Sequence, residues 1–239
     1  MERKTEQIQK LNVDTFDLKQ AIEFGFAKRG QVVTLNPEMV MNTAKDESLK
    51  NIILNAELVI PDGVGVELGF KILGKNNVHR IAGIVYAKSM IEKFWQNNCS
   101  IALIGAKPEI LDLTIRNLKN EFDNLKIAYA HDGYFSDEQA IFDSLKNSGA
   151  ELVLVALGSP KQENFIYKLK KDMPNTLFIG VGGSFDVWSN KVERAPEIWQ
   201  KAGLEWLYRT IKEPARFKRI FPTLPLFVLK IIKERLCKC

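Results

Sequence analysis

The sequence predicts an α/β protein: a mostly parallel sheet flanked by helices, followed by a basic helical appendage. Two observations carry that class. Short apolar runs rich in Val, Ile and Leu recur through the first 181 residues, as expected of strands covered on both faces. Between several of them lie stretches of about 12 to 18 residues with helical period, the alternation of a parallel α/β sheet. A third observation marks where the pattern stops. After about residue 195 the chain turns aromatic and basic, and the strand-like runs cease.

Six strands are predicted: QVVTL (31–35), AELVI (56–60), SIALIG (100–105), LKIAYA (125–130), AELVLVAL (150–157) and TLFIGV (176–181). The helices between them carry their own punctuation. Asn36-Pro37 joins an N-cap residue to a proline at the first helical position. PEILDLTIRNLKNEF (108–122) opens on Pro108. SDEQAIFDSLKNSG (136–149) opens on an N-cap serine and closes on glycine. Ser159-Pro160 repeats the Asn36-Pro37 device, with Gln162 or Glu163 near the capping-box position. Past residue 195, Trp199, Leu204, Leu207 and Ile211 recur at helical spacing. Pro222 and Pro225 are expected to break the final stretch into segments. The chain divides into a catalytic domain, 1–195, and a helical appendage, 196–239.

The 239 residues, 46% hydrophobic and 26% charged, suit one large domain that buries its own core. The charged N-terminus lacks the apolar stretch of a signal peptide, and no uncharged apolar run is long enough to predict a spanning helix. Three cysteines, Cys99, Cys237 and Cys239, make no disulfide framework and favour a reducing compartment. Residues 201–239 hold ten Lys or Arg against three Glu, a net +7, which leaves the first 200 residues at −2 within a total of +5. A near-neutral body with a basic tail implies an anionic partner for the tail: phospholipid, diphosphate or nucleic acid.

Ligands of parallel α/β sheets bind beyond the carboxyl ends of the strands, so the residues there are the candidates. They include Thr34 and Asn36, Asp62, Gly158 with Gln162 and Glu163, and the Gly182-Gly183 turn. Asp62 can either cap the helix that follows it or do chemistry. Gly63, Gly65 and Gly69 approximate a dinucleotide fingerprint, but the last spacing is too long by one and the aspartate precedes the glycines. Those glycines more readily serve close approach to a ligand or a neighbouring helix. Arg80 is either a surface residue or a bidentate partner for a diphosphate. No D-x-D triplet occurs, so a diphosphate bound here would meet arginines and backbone N–H groups rather than the usual metal clamp.

TLNPEMV, IPDGVGVE, RIAG, ALGSPKQE, GVGGSFD and RAPEIWQKAGLEWLYRTIKEPARFKR, in this order and spacing, resemble the WecG/TagA/CpsF glycosyltransferase family from about residue 8 to 220. The resemblance implies a Rossmann-like fold with a membrane-associating appendage. It implies an inverting, metal-independent enzyme without a cofactor. Such an enzyme moves a sugar from a UDP-sugar donor to a lipid-linked saccharide acceptor. N-acetylmannosamine and an undecaprenyl-diphosphate-linked sugar are the familiar pair, with teichoic acid or exopolysaccharide as the product. Glucose or another hexose is an alternative donor. Motif by motif, it implies Asp62 as catalytic base, with Thr34, Asn36, Arg80, Gly158, Gln162 and Glu163 binding substrate. It brings Arg209, Arg216 and Arg219 of the appendage to the diphosphate. Ser159 departs from the alanine common in the family, and nothing carries over beyond residue 220. The expected place is the inner face of the plasma membrane, with an anionic membrane surface as partner, no nucleic acid, and room for a homo-oligomer. The competing classes are an NAD(P)-dependent oxidoreductase, resting on the glycine loop, and a non-catalytic basic module.

Overall fold

The computed structural model describes residues 3–201, 207–208, 211 and 217–237. The chain opens with a hairpin, β1 (Thr5–Ile8) and β2 (Leu11–Asp14), then α1 (Leu18–Lys28), β3 (Gly30–Leu35), α2 (Pro37–Asn42), α3 (Glu47–Leu54), β4 (Leu58–Pro61) and α4 (Val64–Ile72). Next come α5 (Gly83–Gln96), β5 (Ile101–Gly105), α6 (Pro108–Glu121), β6 (Ile127–His131), α7 (Glu138–Ser148), β7 (Leu152–Ala156) and α8 (Lys161–Leu169). The described part ends with β8 (Leu177–Gly180), α9 (Ser184–Trp188), α10 (Glu197–Lys201) and α11 (Phe217–Leu236).

All six strands expected from the apolar runs form one sheet, ordered β4-β3-β8-β7-β5-β6, with every pairing parallel. The period of two explains why they read as continuous apolar runs. Val32, Ile101, Leu103, Leu152, Leu154 and Ile179 pack under α1, α5, α6 and α9. Their immediate neighbours point to the other face. Val33 and Val59 meet α2, α3 and α4, while Ala102, Ile104, Val153 and Phe178 meet α7 and α8.

The hairpin is a strand pair that the apolar runs did not announce. It covers the β4 edge through Asp14, 1% exposed. The Asp14 carboxylate accepts from Arg3 Nε at 2.6 Å, Arg3 Nη2 at 3.0 Å and the Val59 N–H at 2.8 Å. A buried carboxylate is tolerable only when bonded in this way.

The helix starts agree with the sequence at two points and differ at two others. Asn36 caps α2, accepting from Met39 N–H at 3.0 Å with Pro37 in the first turn, and Pro108 opens α6. The cap of α7 is Asp137 rather than Ser136, through its bond from Ala140 N–H. The cap position of α8 falls on Pro160, which follows a cis Ser159–Pro160 peptide, so Ser159 does not cap.

The largest departure is at the end of the chain. Pro222 and Pro225 do not divide it: α11 runs through both as one 20-residue helix. Packing holds it. Phe227 and Ile231 are fully buried in the core shared with Val40, Val66 and Phe70. No helix among the described residues is long and apolar enough to cross a membrane.

Candidate active site

The starts of α4 and α8 follow the carboxyl ends of β4 and β7, and α5 begins beside the end of β4; each presents first-turn N–H groups and a positive dipole end. None of the three has a side-chain cap on its own N-terminus.

At the β3–β4 end, Thr34 Oγ1 reaches the Gly180 carbonyl of β8 at 3.5 Å. Asp62 N–H donates to the Leu35 carbonyl at 2.8 Å, continuing the β3–β4 ladder by one residue. The chain then makes α4 and returns. Ile81 N–H donates to the Pro61 carbonyl at 2.9 Å, which lays the RIAG segment back over the end of β4. This return sets Arg80, half-buried, next to the anchored Ile81. It also sets Gly83, the first residue of α5, against the two candidate side chains. From where a Gly83 Cβ would stand, Asp62 Oδ2 is 3.1 Å away and Thr34 Cγ2 is 3.0 Å.

Asp62 stands one residue ahead of the cap position of α4. The cap position of α4 is Gly63, and the helix has no side-chain cap bond. Asp62 Oδ2 and Thr34 meet at the start of another helix, α5. The glycines after it are packing devices. A Cβ on Gly65 would stand 2.5 Å from Pro37 Cγ and 3.1 Å from Leu224 Cδ1. One on Gly69 would stand 2.9 Å from Ile8 Cδ1 and 3.0 Å from Phe227 Cζ. Gly65 and Gly69 thus serve the close approach of neighbouring side chains.

The other candidates lie at the end of β7, two strands from β3 and therefore about 10 Å away across the sheet. Gly158 (φ +75°) and Gly182 (φ +49°) take the left-handed conformation, and a Cβ on either would meet nothing within 4 Å. Their backbone borders open space, which lets a ligand approach closely. Gln162 and Glu163 sit beneath this surface, 4% and 3% exposed. Gln162 Oε1 accepts from Gly182 N–H at 3.0 Å, and its Nε2 donates to Glu163 Oε1 at 2.8 Å. Burial pushes the Glu163 carboxyl above its ordinary range, opposed by bonds from Gln162 and Ser159. These two residues thus fasten the turn after β8 to the start of α8.

The structure brings Thr34, Asn36, Asp62 and the Arg80 segment together at the β3–β4 end. It joins them through the β8 turn to the Gly158–Glu163 segment. Arg209 and Arg216 lie outside the described residues, as does the Arg219 side chain. One contributor escaped the sequence: nothing in one dimension says that Gly83 borders Asp62, and Gly182, already a candidate, gave no sign of its bond with Gln162. Among the described residues no group of three or more His, Cys, Asp or Glu could hold a metal ion.

On the far edge of α11, Leu226, Leu229, Ile232 and Leu236 are 54%, 62%, 41% and 70% exposed. They recur at helical spacing, opposite the buried Phe227 and Ile231.

One family of known proteins matches this chain. The model of the glycosyl transferase WecG/TagA/CpsF family covers residues 6–238, from the hairpin through the last helix.

Proposed function

The chain belongs to the WecG/TagA/CpsF glycosyltransferase family, and from that premise we propose how its cleft carries out transfer. Its activity is glycosyl transfer between a sugar donor and an acceptor in cell-surface polysaccharide synthesis. In our reading the donor is a UDP-sugar, N-acetylmannosamine foremost and another hexose next. The acceptor is a sugar on undecaprenyl diphosphate, and the products feed teichoic acid or exopolysaccharide synthesis.

The acceptor hydroxyl oxygen attacks the anomeric carbon from the face opposite the leaving group. The bond from that carbon to the UDP oxygen breaks, the configuration inverts, and UDP departs with the bonding electron pair. Asp62 accepts the hydroxyl proton. Thr34 and Asn36 hold the reacting sugars. Arg80, the exposed backbone at Gly158 and Gly182, and the start of α8 receive the UDP side. Gln162 and Glu163 serve by holding that surface in place. Arg209, Arg216 and Arg219 bring positive charge to the diphosphate from the appendage.

The observation that carries this reading is the placement of the Asp62 carboxylate beside Thr34 at the start of α5. General-base help of this kind contributes roughly 100- to 10,000-fold in rate. Asp62→Asn is expected to keep the fold and UDP binding while losing that factor in kcat. Measuring transfer from a panel of UDP-sugars to a short-chain lipid-diphosphate sugar checks it, and full activity in the variant would sink the assignment.

The exposed stripe of α11 supports a peripheral place on the inner face of the plasma membrane. Its leucines enter the headgroup region, and nearby Lys and Arg each add about 1 kcal/mol of attraction to anionic lipid.

A further inference from the structure

We infer that Gly180 is a positioning residue for the donor site: its lack of a side chain lets the Gln162 amide cross the end of β8 and hold the Gly182 turn. The inference rests on the reading that this turn receives the UDP side, and adds to it a residue that acts through Gln162.

Gly180 closes β8 without a positive φ, so its backbone would suit other residues. What it supplies is room. A Cβ here would stand 2.6 Å from Gln162 Nε2, 2.9 Å from Gln162 Cδ and 3.1 Å from Gln162 Cγ. Ordinary carbon contacts lie at about 3.5–4.0 Å. The three nearest atoms thus belong to one side chain, and its far end is the most crowded. That end is in use two residues further on. Gln162 Oε1 accepts from Gly182 N–H at 3.0 Å, while Nε2 donates to Glu163 Oε1 at 2.8 Å.

How the two sides are held decides what yields to an added methyl. β8 lies between β3 and β7. Gly180 is in register with Val155, and Val181 N–H donates to the Val155 carbonyl at 2.9 Å. Opposite, α8 buries Phe165, Ile166 and Leu169 in a core shared with Val153, Val155 and Phe178. Moving either backbone breaks ladder bonds or opens that core. Turning the Gln162 side chain aside breaks the two bonds already named and leaves both backbones in place.

Alanine at position 180 therefore drives the amide off Gly182 N–H. The turn after β8 loses its fastening to α8, while the ladder between β3 and β4 and the acceptor side stay as they are. Loss of one net hydrogen bond corresponds to about 2- to 10-fold in affinity. The expected signature is weaker UDP binding with acceptor binding unchanged.

The test is a double-mutant cycle of Gly180→Ala and Gln162→Ala in the full chain. The readouts are the calorimetric Kd for UDP, KM for a short-chain lipid-diphosphate sugar, and the melting midpoint. Gly180→Ala is expected to weaken UDP about 2- to 10-fold and to keep acceptor KM within about twofold. Gln162→Ala removes all three atoms that crowd the added Cβ. On that background Gly180→Ala should cost nothing further, so the double variant matches Gln162→Ala in both Kd and midpoint. Additive losses overturn the inference, as does wild-type UDP affinity in folded Gly180→Ala or a loss that falls on acceptor KM. Where Gly180→Ala does not accumulate as folded protein, the double variant decides: its recovery supports the inference and its failure overturns it. Gln162→Ala alone keeps the two readings apart. Unchanged UDP affinity there removes the UDP surface on which the inference rests. A weakened Gln162→Ala beside an unchanged Gly180→Ala leaves that surface standing and removes the role of Gly180.

Discussion

Glu163 is an acid enclosed by protein, 3% exposed, and its proton is retained above the ordinary value of 4.5 because burial disfavours the charged form. The sign of the consequence follows from proton counting. Between 4.5 and the raised value the folded chain binds more protons than the unfolded one. Stability is therefore greatest below this window and falls as pH rises through it. Glu163→Gln removes the ionisation and keeps an oxygen to accept from Gln162 Nε2. Melting curves recorded as pH rises from the ordinary value of 4.5 should show the wild type losing more of its Tm than the variant. Parallel curves would mean that Glu163 does not titrate differently on folding. Residues of this kind divide by what a linear chain can announce. Asp62, Thr34 and Asn36 were legible because the residue after a parallel strand must lie at the cleft. The buried partnership of Gln162 with Gly182, 20 positions later, depends on which strands become neighbours.

Among the elements, α11 differs most from expectation. A proline inside a helix removes one bond and costs about 3 kcal/mol, a sound reason to expect a break at Pro222 and Pro225. Tertiary contacts overrode it. Phe227 and Ile231 are fully buried, each worth about 1.5–3 kcal/mol, and Leu224 packs toward Gly65. Arg235 Nη1 donates to the Ile72 carbonyl at 2.5 Å, and Glu234 accepts from Gln9 N–H at 3.0 Å. Phe227→Ala should thus cost about 3–5 kcal/mol and loosen α11 from α4. A lowered melting midpoint with faster proteolysis near the C-terminus checks this; an unchanged midpoint would show the helix to be held otherwise. The hairpin was illegible for the opposite reason. TEQI and LNVD are short and mixed in polarity, and their turn puts Gln9 and Lys10 at φ +48° and +64°. Asn and Gly normally advertise such a turn. The six sheet strands were legible because most of them are buried on both faces and therefore mostly apolar.

At the scale of the molecule, one helix gives its inner face to the core and offers Leu226, Leu229, Ile232 and Leu236 outward. Leu229→Glu with Leu236→Glu should weaken sedimentation with anionic vesicles severalfold while leaving the melting midpoint within a few degrees, because both side chains are already solvent-exposed. Unchanged sedimentation would overturn the proposed membrane role of this stripe. The strand order carries a consequence for how the protein is made. While the ribosome is still working, residues 30–61 can form only a two-stranded patch, and residues 101–156 only a three-stranded one. The strand bonded to both, among those described, is β8 at Leu177–Gly180. A nascent chain stopped short of it would already contain Thr34, Asn36, Asp62, Gly158 and Gln162, yet hold them on two separate pieces with bare strand edges. Such edges invite pairing with other chains. Translation must therefore run past residue 180 before the two pieces can join, and among the described strands the last to emerge is the one that joins them.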